Sequence, residues 1–211
     1  MIYRSLFLSA LLLTLLFFCN GSVYQQEQAV DKKILYAERE FSNGDIIFQR
    51  GINIASTFVV SVDSKSGYSH VGIICKSHGH IFVIHILPES NESKDGLVKM
   101  ELLGDFLSPE RTSGFALYRL SKNKDNISSK AVDSAVSFFK QGIRYDYDMN
   151  NTNHDKLYCT ELVWWAYRKA NIDLIDGKFE GVEFPFYKGK YILISTLLNS
   201  KWLEKVSINS I

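Results

Sequence analysis

The pattern of apolar and polar positions predicts a sheet with short strands. Two apolar runs, His70–Lys76 and Ile81–Leu87, are typical of strands, and the polar loop 77–80 between them predicts a hairpin. Asn43–Asp45 is a turn signal that leads into Ile46–Phe48. Further strands are predicted at Leu97–Met100, Phe115–Leu120 and Leu203–Val206.

Two longer segments have helical periodicity. In Asn126–Gln141 the apolar positions recur on one side, and Gly142 ends the segment. Those positions are Ala131, Val132, Ala135, Val136 and Phe139. Cys159–Ala170 repeats the pattern, and shorter helical segments are predicted at Ile54–Val62, Leu102–Leu107 and Ile192–Leu198. This order of elements predicts an α+β fold with helices flanking a mostly antiparallel sheet.

The amino-terminal region has a different pattern. Arg4 is followed by a 14-residue apolar stretch, Leu6–Cys19, which is too short to cross a bilayer comfortably and is typical of a secretory signal peptide. Cleavage after Gly21 is the first interpretation, because the residues near this position are small. Lipidation of Cys19 is the second, because Phe18 is bulky where a lipoprotein signal has a small residue. An uncleaved amino-terminal anchor is the third. We therefore expect export to the periplasm or cell envelope, with three segments: 1–21, a polar segment 22–42 and a domain 43–211.

Composition and charge narrow the class of protein. A chain of 211 residues with 46% hydrophobic residues suits one globular domain with its own core. Its formal net charge is +1, and no basic stripe is present, so we expect no nucleic-acid partner.

Cys159 is the first candidate for chemistry because it opens the second long helix. The positive end of the helix dipole and the unpaired N–H groups there favour a thiolate, which lowers the thiol pKa, and they can also hold an oxyanion. Glu161 opposes this effect slightly through its charge. A buried core cysteine is the competing interpretation, and position alone does not separate the two.

His70, at the start of an apolar strand, is the candidate base. If the hairpin turns symmetrically about His78-Gly79, Gly72 lies opposite His85, so that His70 and His85 share one face as diagonal neighbours. His85 would then orient His70, as the third member of a triad does. A shift of one residue in register would separate the two rings.

The other potential metal ligands and cysteines lead to weaker hypotheses. Cys75 lies on the strand face opposite His70, which argues against a Cys75–Cys159 disulfide. His78 and His80 fall in the hairpin loop, and no paired-cysteine spacing occurs, so we expect neither a metal nor a cofactor.

Four motifs between Asn43 and Asn171 together resemble a known family. They are Gly44-Asp45-Ile46-Ile47-Phe48, Tyr68-Ser69-His70-Val71-Gly72, Tyr145-Asp146 and Tyr158-Cys159-Thr160-Glu161-Leu162-Val163-Trp164. Their order is similar to that of the YiiX-like hydrolases, a circularly permuted branch of the NlpC-type papain-fold superfamily with a distant relation to lecithin–retinol acyltransferases. Histidine before cysteine is the mark of that permutation.

The resemblance implies a permuted papain-like fold, with Cys159 as nucleophile and His70 as base. It also implies that Tyr145, Asp146 and Tyr68 line the substrate cleft, although loop packing and a turn cap explain the Tyr145-Asp146 pair equally well. The family usually has a glutamate as third polar residue. His85 occupies that position here, and Glu89 lies just beyond the strand, so we prefer His85.

These observations lead to three functional hypotheses. The first is an exported cysteine amidase or peptidase that acts on a peptide or small amide, with cell-wall (peptidoglycan) peptides as the suggested class. The second is acyl transfer or lipid ester cleavage at a membrane, and the third is a non-catalytic binding domain of the same fold. A narrow polar cleft beside Cys159 would favour peptides, and a wide apolar cleft would favour lipids.

Overall fold

The residues that position the site belong to a sheet and the helices beside it. The structure is a computed structural model, and it describes residues 40–89, 96–121, 125–149, 151–184 and 187–208. The predicted signal peptide, Cys19 and most of the polar segment 22–42 lie outside the described residues. Phe41–Ile208 form one compact unit.

Six antiparallel strands form the main sheet of the described residues, in the order β10-β5-β1-β2-β3-β4. Their bounds are β1 Ile46–Gly51, β2 His70–Ser77, β3 His80–Ile86, β4 Val98–Leu102, β5 Thr112–Leu120 and β10 Leu203–Lys205. Two small pairs complete the strands: β6 Arg144–Tyr145 with β7 Lys156–Leu157, and β8 Glu180–Phe184 with β9 Tyr187–Tyr191. The predicted strands of the main sheet are thus confirmed, whereas the β8–β9 hairpin was not predicted.

Five helices accompany the strands within the described ranges. They are α1 Ile54–Val62, α2 Leu103–Phe106, α3 Asp125–Gln141, α4 Cys159–Lys169 and α5 Ile194–Leu198. None of the helices described has the length and apolar character that a membrane span requires.

Helices α3 and α4 pack on one face of the sheet and form the core with it. Ile46, Val71 and Ile73 from the sheet belong to one buried cluster with Leu162 and Tyr167 of α4, as the period of α4 predicts. Burial of this apolar surface is the main stabilising contribution to the fold.

One predicted core position is wrong. Phe139 is 41% exposed, whereas Phe138 is buried. The buried stripe of α3 runs through Ala131 and Ala135, and its next member is three residues further on, at Phe138.

Candidate active site

The register of the β2–β3 hairpin brings His70 and His85 together. Ile73 pairs with Ile84 and Ser77 with His80, which is the register predicted for a turn centred on His78-Gly79. Nε2 of His70 lies 2.9 Å from Nδ1 of His85, and both side chains are buried. The predicted contact between the two rings is therefore confirmed.

Gly72 makes room for this contact. A Cβ atom at position 72 would lie 3.1 Å from Cβ of His85 and 2.5 Å from a methyl group of Val83. Both distances are shorter than ordinary contacts between side chains. The glycine inside this strand thus marks a close approach between β2 and β3, with Cβ of His85 directly beside it.

Glu101 on β4 extends the contact between the histidines into a chain. Its Oε1 lies 2.9 Å from Nε2 of His85, at an angle short of a well-aligned hydrogen bond. Both guanidinium Nη atoms of Arg111 donate to the Glu101 carboxylate at 3.2 Å, and Nη1 also donates to the carbonyl of Asp105. The site therefore contains a chain in the order His70, His85, Glu101, Arg111, which we call the relay.

Sequence reasoning missed Glu101 and Arg111. Val83 pairs with Glu101, so Glu101 shares a strand face with His85 and is its diagonal neighbour. Glu101 directly follows the predicted strand Leu97–Met100, and this position of an acid at the end of a strand was the available signal. The register of β4 could not be derived, however, because a long connection rather than a tight turn joins it to β3. Glu89, the alternative third residue, is exposed.

The electrostatics of the relay determine which nitrogen of each imidazole ring carries the proton. Interactions with His85 and Arg111 outweigh burial and lower the pKa of Glu101 to about 2, so it is a carboxylate that only accepts hydrogen bonds. Burial lowers the pKa of His85, and burial together with the neighbouring His85 lowers that of His70 well below its usual value. Both rings are therefore neutral at pH 7, with a proton on each Nε2, and Nδ1 of His70 has its lone pair available.

Cys159 is the first residue of α4, as predicted, and it lines the same cavity as His70. The expected low thiol pKa is wrong: burial raises the pKa of Cys159 to about 11. The backbone N–H groups of Thr160, Cys159 and Val71 interact with the sulfur and only partly offset burial. The resting site therefore holds a neutral thiol and a neutral imidazole, and a thiolate forms only when a base removes the proton.

Glu161, two residues further along α4, does not oppose the helix dipole at neutral pH. Its side chain is fully buried, and this burial raises its pKa to about 8. Oε1 lies 2.8 Å from Nδ1 of His154, whose pKa is lowered by burial. We describe this contact as a neutral carboxylic acid that donates to a neutral imidazole, because both pKa values shift towards the uncharged forms.

A cavity of about 540 Å³ opens beside the thiol and His70. Its walls come from α1, from the start of β2, from the end of β3 and from the segment 191–194, which leads into α5. Tyr158 holds this segment in place, since its hydroxyl accepts from the N–H of Ile192, and Thr160 donates to the carbonyl of the same residue. Cavities of this size accommodate small molecules or segments of larger ones.

Of the three residues predicted to line the cleft, Tyr145 is part of the cavity wall, and Asp146 and Tyr68 are not. Asp146 is buried, and its Oδ1 accepts from the N–H of Asp148, which matches the turn-capping alternative. Tyr68 packs against Phe48 and under the guanidinium of Arg50.

The sequence also predicts that Cys75 and Cys159 do not form a disulfide and that the chain holds no metal ion. Cys75 and Cys159 are both free thiols. His78 and His80 are exposed at the hairpin turn. Within the described ranges, no three His, Cys, Asp or Glu side chains are grouped so that they could hold a metal ion, and we derive no step through a metal.

The fold is similar to that of a solved structure, the metalloprotein YiiX from Escherichia coli O157:H7. The TM-score is 0.65 at 18% sequence identity, and the match covers 82% of this chain and 99% of the other. At this identity the likeness establishes the permuted fold alone. No curated protein matches the chain.

A family comparison adds the class of chemistry. The model for the permuted papain-like amidases of the YaeF/YiiX type, family C92, matches residues 40–179. This range includes all four sequence motifs, the relay and Cys159. The chain therefore belongs to the C92 family of permuted papain-like amidases and is a cysteine hydrolase.

Proposed function

We propose that the protein hydrolyses amide bonds through a thioester on Cys159, with His70 as the base and His85 and Glu101 as residues that position and stabilise it. The observation that carries this proposal is the relay, which reaches from Glu101 to His70, a residue that lines the same cavity as the thiol. Such a chain fixes the tautomer of the base and stabilises its imidazolium.

The first half of the reaction forms the thioester. Nδ1 of His70 takes the proton from the Cys159 thiol while the sulfur attacks the amide carbonyl. The oxygen that becomes negative is held by the backbone N–H groups at the start of α4 and at Val71, a role supported by their interaction with the neighbouring sulfur in the resting site. The C–N bond then breaks, and the leaving amine takes the proton from His70.

The second half releases the acid. His70 removes a proton from water, and the resulting hydroxide attacks the thioester carbonyl. The C–S bond breaks, and the sulfur regains its proton from His70. The positive charge on His70 in both halves is stabilised by the Glu101 carboxylate, whose charge favours the protonated form of His70.

Cys159→Ala tests the proposal, with Cys75→Ala as the matched control because both thiols are free. We expect Cys159→Ala to reduce hydrolysis of a chromogenic anilide by about a thousandfold or more, since the covalent route is removed. Cys75→Ala should retain the rate. Mass spectrometry of a quenched reaction should place an acyl adduct on Cys159. Undiminished turnover by Cys159→Ala would overturn the proposal.

We also propose that this reaction takes place outside the cytoplasm. The support is Arg4 followed by the apolar stretch Leu6–Cys19. The amino-terminal mass of the mature protein tests it: a start at Ser22 indicates signal cleavage, a lipid-modified Cys19 indicates lipidation, and an intact cytosolic chain contradicts export. Cell-wall peptides as substrates stay a prediction from this location.

A further inference from the structure

Glu161 is a buried acid that the proposed reaction does not use. Its side chain is 0% exposed, and it is the third residue of α4, the helix that begins at Cys159. The backbone N–H groups at a helix start lack partners within the helix and favour a negative charge nearby. A carboxylate and a thiolate in the same first turn therefore compete for the same stabilisation.

The Glu161 carboxyl also contacts the backbone at the start of this helix. Tyr158 is the N-cap of α4, and its side chain makes no capping hydrogen bond. The backbone N–H of Tyr158 interacts with the Glu161 carboxyl, at a geometry short of a well-aligned hydrogen bond. The third residue of a helix accepts from the N-cap in this way in a capping box. Because Tyr158 directly precedes Cys159, Glu161 helps to hold the backbone that presents the thiol.

His154 holds the other side of the carboxyl without supplying a charge. Oε1 of Glu161 lies 2.8 Å from Nδ1 of His154. Burial and the nearby Lys169 lower the pKa of His154, and Asp155 raises it by less. The ring is therefore neutral at pH 7, and its Nδ1 accepts the proton of a carboxylic acid.

The remaining surroundings of Glu161 also favour its protonated form. Asp146 is buried and acts on Glu161 as a like charge. No lysine or arginine in the described part of the chain forms an ion pair with Glu161. Its Oε2 is buried without a hydrogen bond among these residues, which is far more costly for a carboxylate than for a neutral acid. With a pKa of about 8, the acid loses its proton only in slightly alkaline solution.

We propose that Glu161 is a positioning residue of the same active site: as a protonated acid it caps the start of α4 and leaves the positive end of the helix to the Cys159 thiolate and the oxyanion. Loss of its proton places a negative charge two residues from the sulfur and disfavours both. Hydrolysis therefore declines at alkaline pH through Glu161. This inference rests on the proposed function, but the reactivity of the thiol tests it without a substrate.

Alkylation of Cys159 by iodoacetamide measures how readily the thiolate forms, because the thiolate is the reactive species. The full chain is labelled between pH 6 and 9, and mass spectrometry of the peptide that contains Cys159 gives the rate. In Glu161→Gln the amide keeps an acceptor for Tyr158 and a donor for His154 but does not ionise. We expect equal rates at pH 6 and a rate roughly fivefold higher than that of wild type at pH 9. Glu110→Gln, which changes an exposed acid, is the matched control and should follow wild type.

The pH profile of kcat/KM on the chromogenic anilide tests the same group during turnover. We expect a basic limb near pH 8 in wild type, and in Glu161→Gln a limb moved upward by roughly one pH unit or more. Glu161→Ala removes the cap and the donor together and should lower kcat by roughly tenfold at every pH, with a smaller change in KM. Recovery of the neutral-pH rate in Glu161→Gln distinguishes this role from a need for charge.

The outcomes separate this inference from the proposed function. Equal alkylation curves for wild type and Glu161→Gln overturn the inference, and intact Cys159-dependent hydrolysis then leaves the amidase. A loss at neutral pH in Glu161→Gln as large as that in Glu161→Ala overturns it as well, because the site then needs the charged carboxylate. If no amide is cleaved, faster alkylation of Glu161→Gln at pH 9 supports the effect of Glu161 on the thiol while the proposed hydrolysis fails.

Discussion

Glu101 is separated from the thiol by two imidazole rings, yet it is the negatively charged member of the relay at neutral pH. The interactions that keep its pKa at about 2 are with His85 and Arg111. Its charge also raises the pKa of His70, against the larger effect of burial. A group in this position controls the base without contact to substrate, so it is a positioning residue.

The variant Glu101→Gln tests this role. An amide oxygen still accepts from His85, but the negative charge is lost and Arg111 is no longer compensated. We therefore expect the pKa of His70 to fall, so that the acidic limb of the kcat/KM profile moves to lower pH. We expect kcat to fall by about ten- to a hundredfold.

Glu89→Gln is the control for that experiment, because Glu89 is an exposed carboxylate close in sequence to the relay. It should reproduce the wild-type pH profile. An acidic limb that stays in place in Glu101→Gln, with kcat intact, would show that the carboxylate does not act on His70.

At the scale of the element, the start of α4 combines a partly buried thiol with a buried acid. The helix terminus alone predicts a low thiol pKa, and burial reverses that prediction because it disfavours the charged form. The same effect keeps Glu161 protonated up to about pH 8. Both groups at this terminus are thus neutral in the resting protein.

The protonated Glu161 has a consequence for stability. Its pKa is about 8 in the folded chain and 4.5 in its ordinary state, so the folded chain binds more protons between these values and loses stability as pH rises through them. Glu161→Gln keeps a donor for His154 without this titration. Relative to wild type, we expect the variant to gain on the order of 4 kcal/mol in free energy of unfolding between pH 4.5 and 8.

Urea denaturation across that pH range measures the effect. Glu110→Gln serves as the control because Glu110 is exposed. Parallel stability curves for wild type and Glu161→Gln would mean that Glu161 is ionised in the folded protein, as one half of an ion pair with His154.

At the scale of the whole molecule, three elements meet at the turn before β1. Gly44 has a φ of +85°, and a Cβ there would lie 2.7 Å from Cβ of Ser128 on α3. The hydroxyl of Tyr167 on α4 donates to the Gly44 carbonyl. This turn therefore joins the sheet to both long helices.

A comparison of Gly44→Ala with Gly79→Ala separates the cost of backbone strain at a positive φ from the cost of crowding a neighbouring helix. Gly79 has a φ of +80°, but nothing lies within 4 Å of its missing Cβ, so its variant measures backbone strain alone. We expect Gly44→Ala to cost about 1–3 kcal/mol more in free energy of unfolding than Gly79→Ala, because it also crowds α3. Equal losses in denaturation experiments would contradict this close packing.

The sequence predicts those parts of the fold that depend on neighbouring residues in the chain, such as tight turns and the periodicity of a helix. The tight turn at His78-Gly79 determines the β2–β3 register, and with it the contact between His70 and His85. The period of α4 determines its buried side. Glu101 and Arg111 depend instead on the pairing of β4 across a long connection, and burial of Cys159 depends on the packing around it. Such contacts between distant parts of the chain leave no periodic signal.

The relay crosses the sheet from strand to strand, and β4, which carries Glu101, is the outermost strand on its side. At its start β4 also bonds outside the sheet, since the N–H of Val98 donates to the carbonyl of Ile143. The rest of an outer strand has a hydrogen-bonding neighbour on one side only, so the part that carries Glu101 can separate from the sheet while the central strands remain paired. For the proposed mechanism, such local opening would break the electrostatic support of His70 without unfolding the domain. Catalysis is then the property that heat or denaturant removes first, and residual activity reports the integrity of one edge strand rather than that of the core.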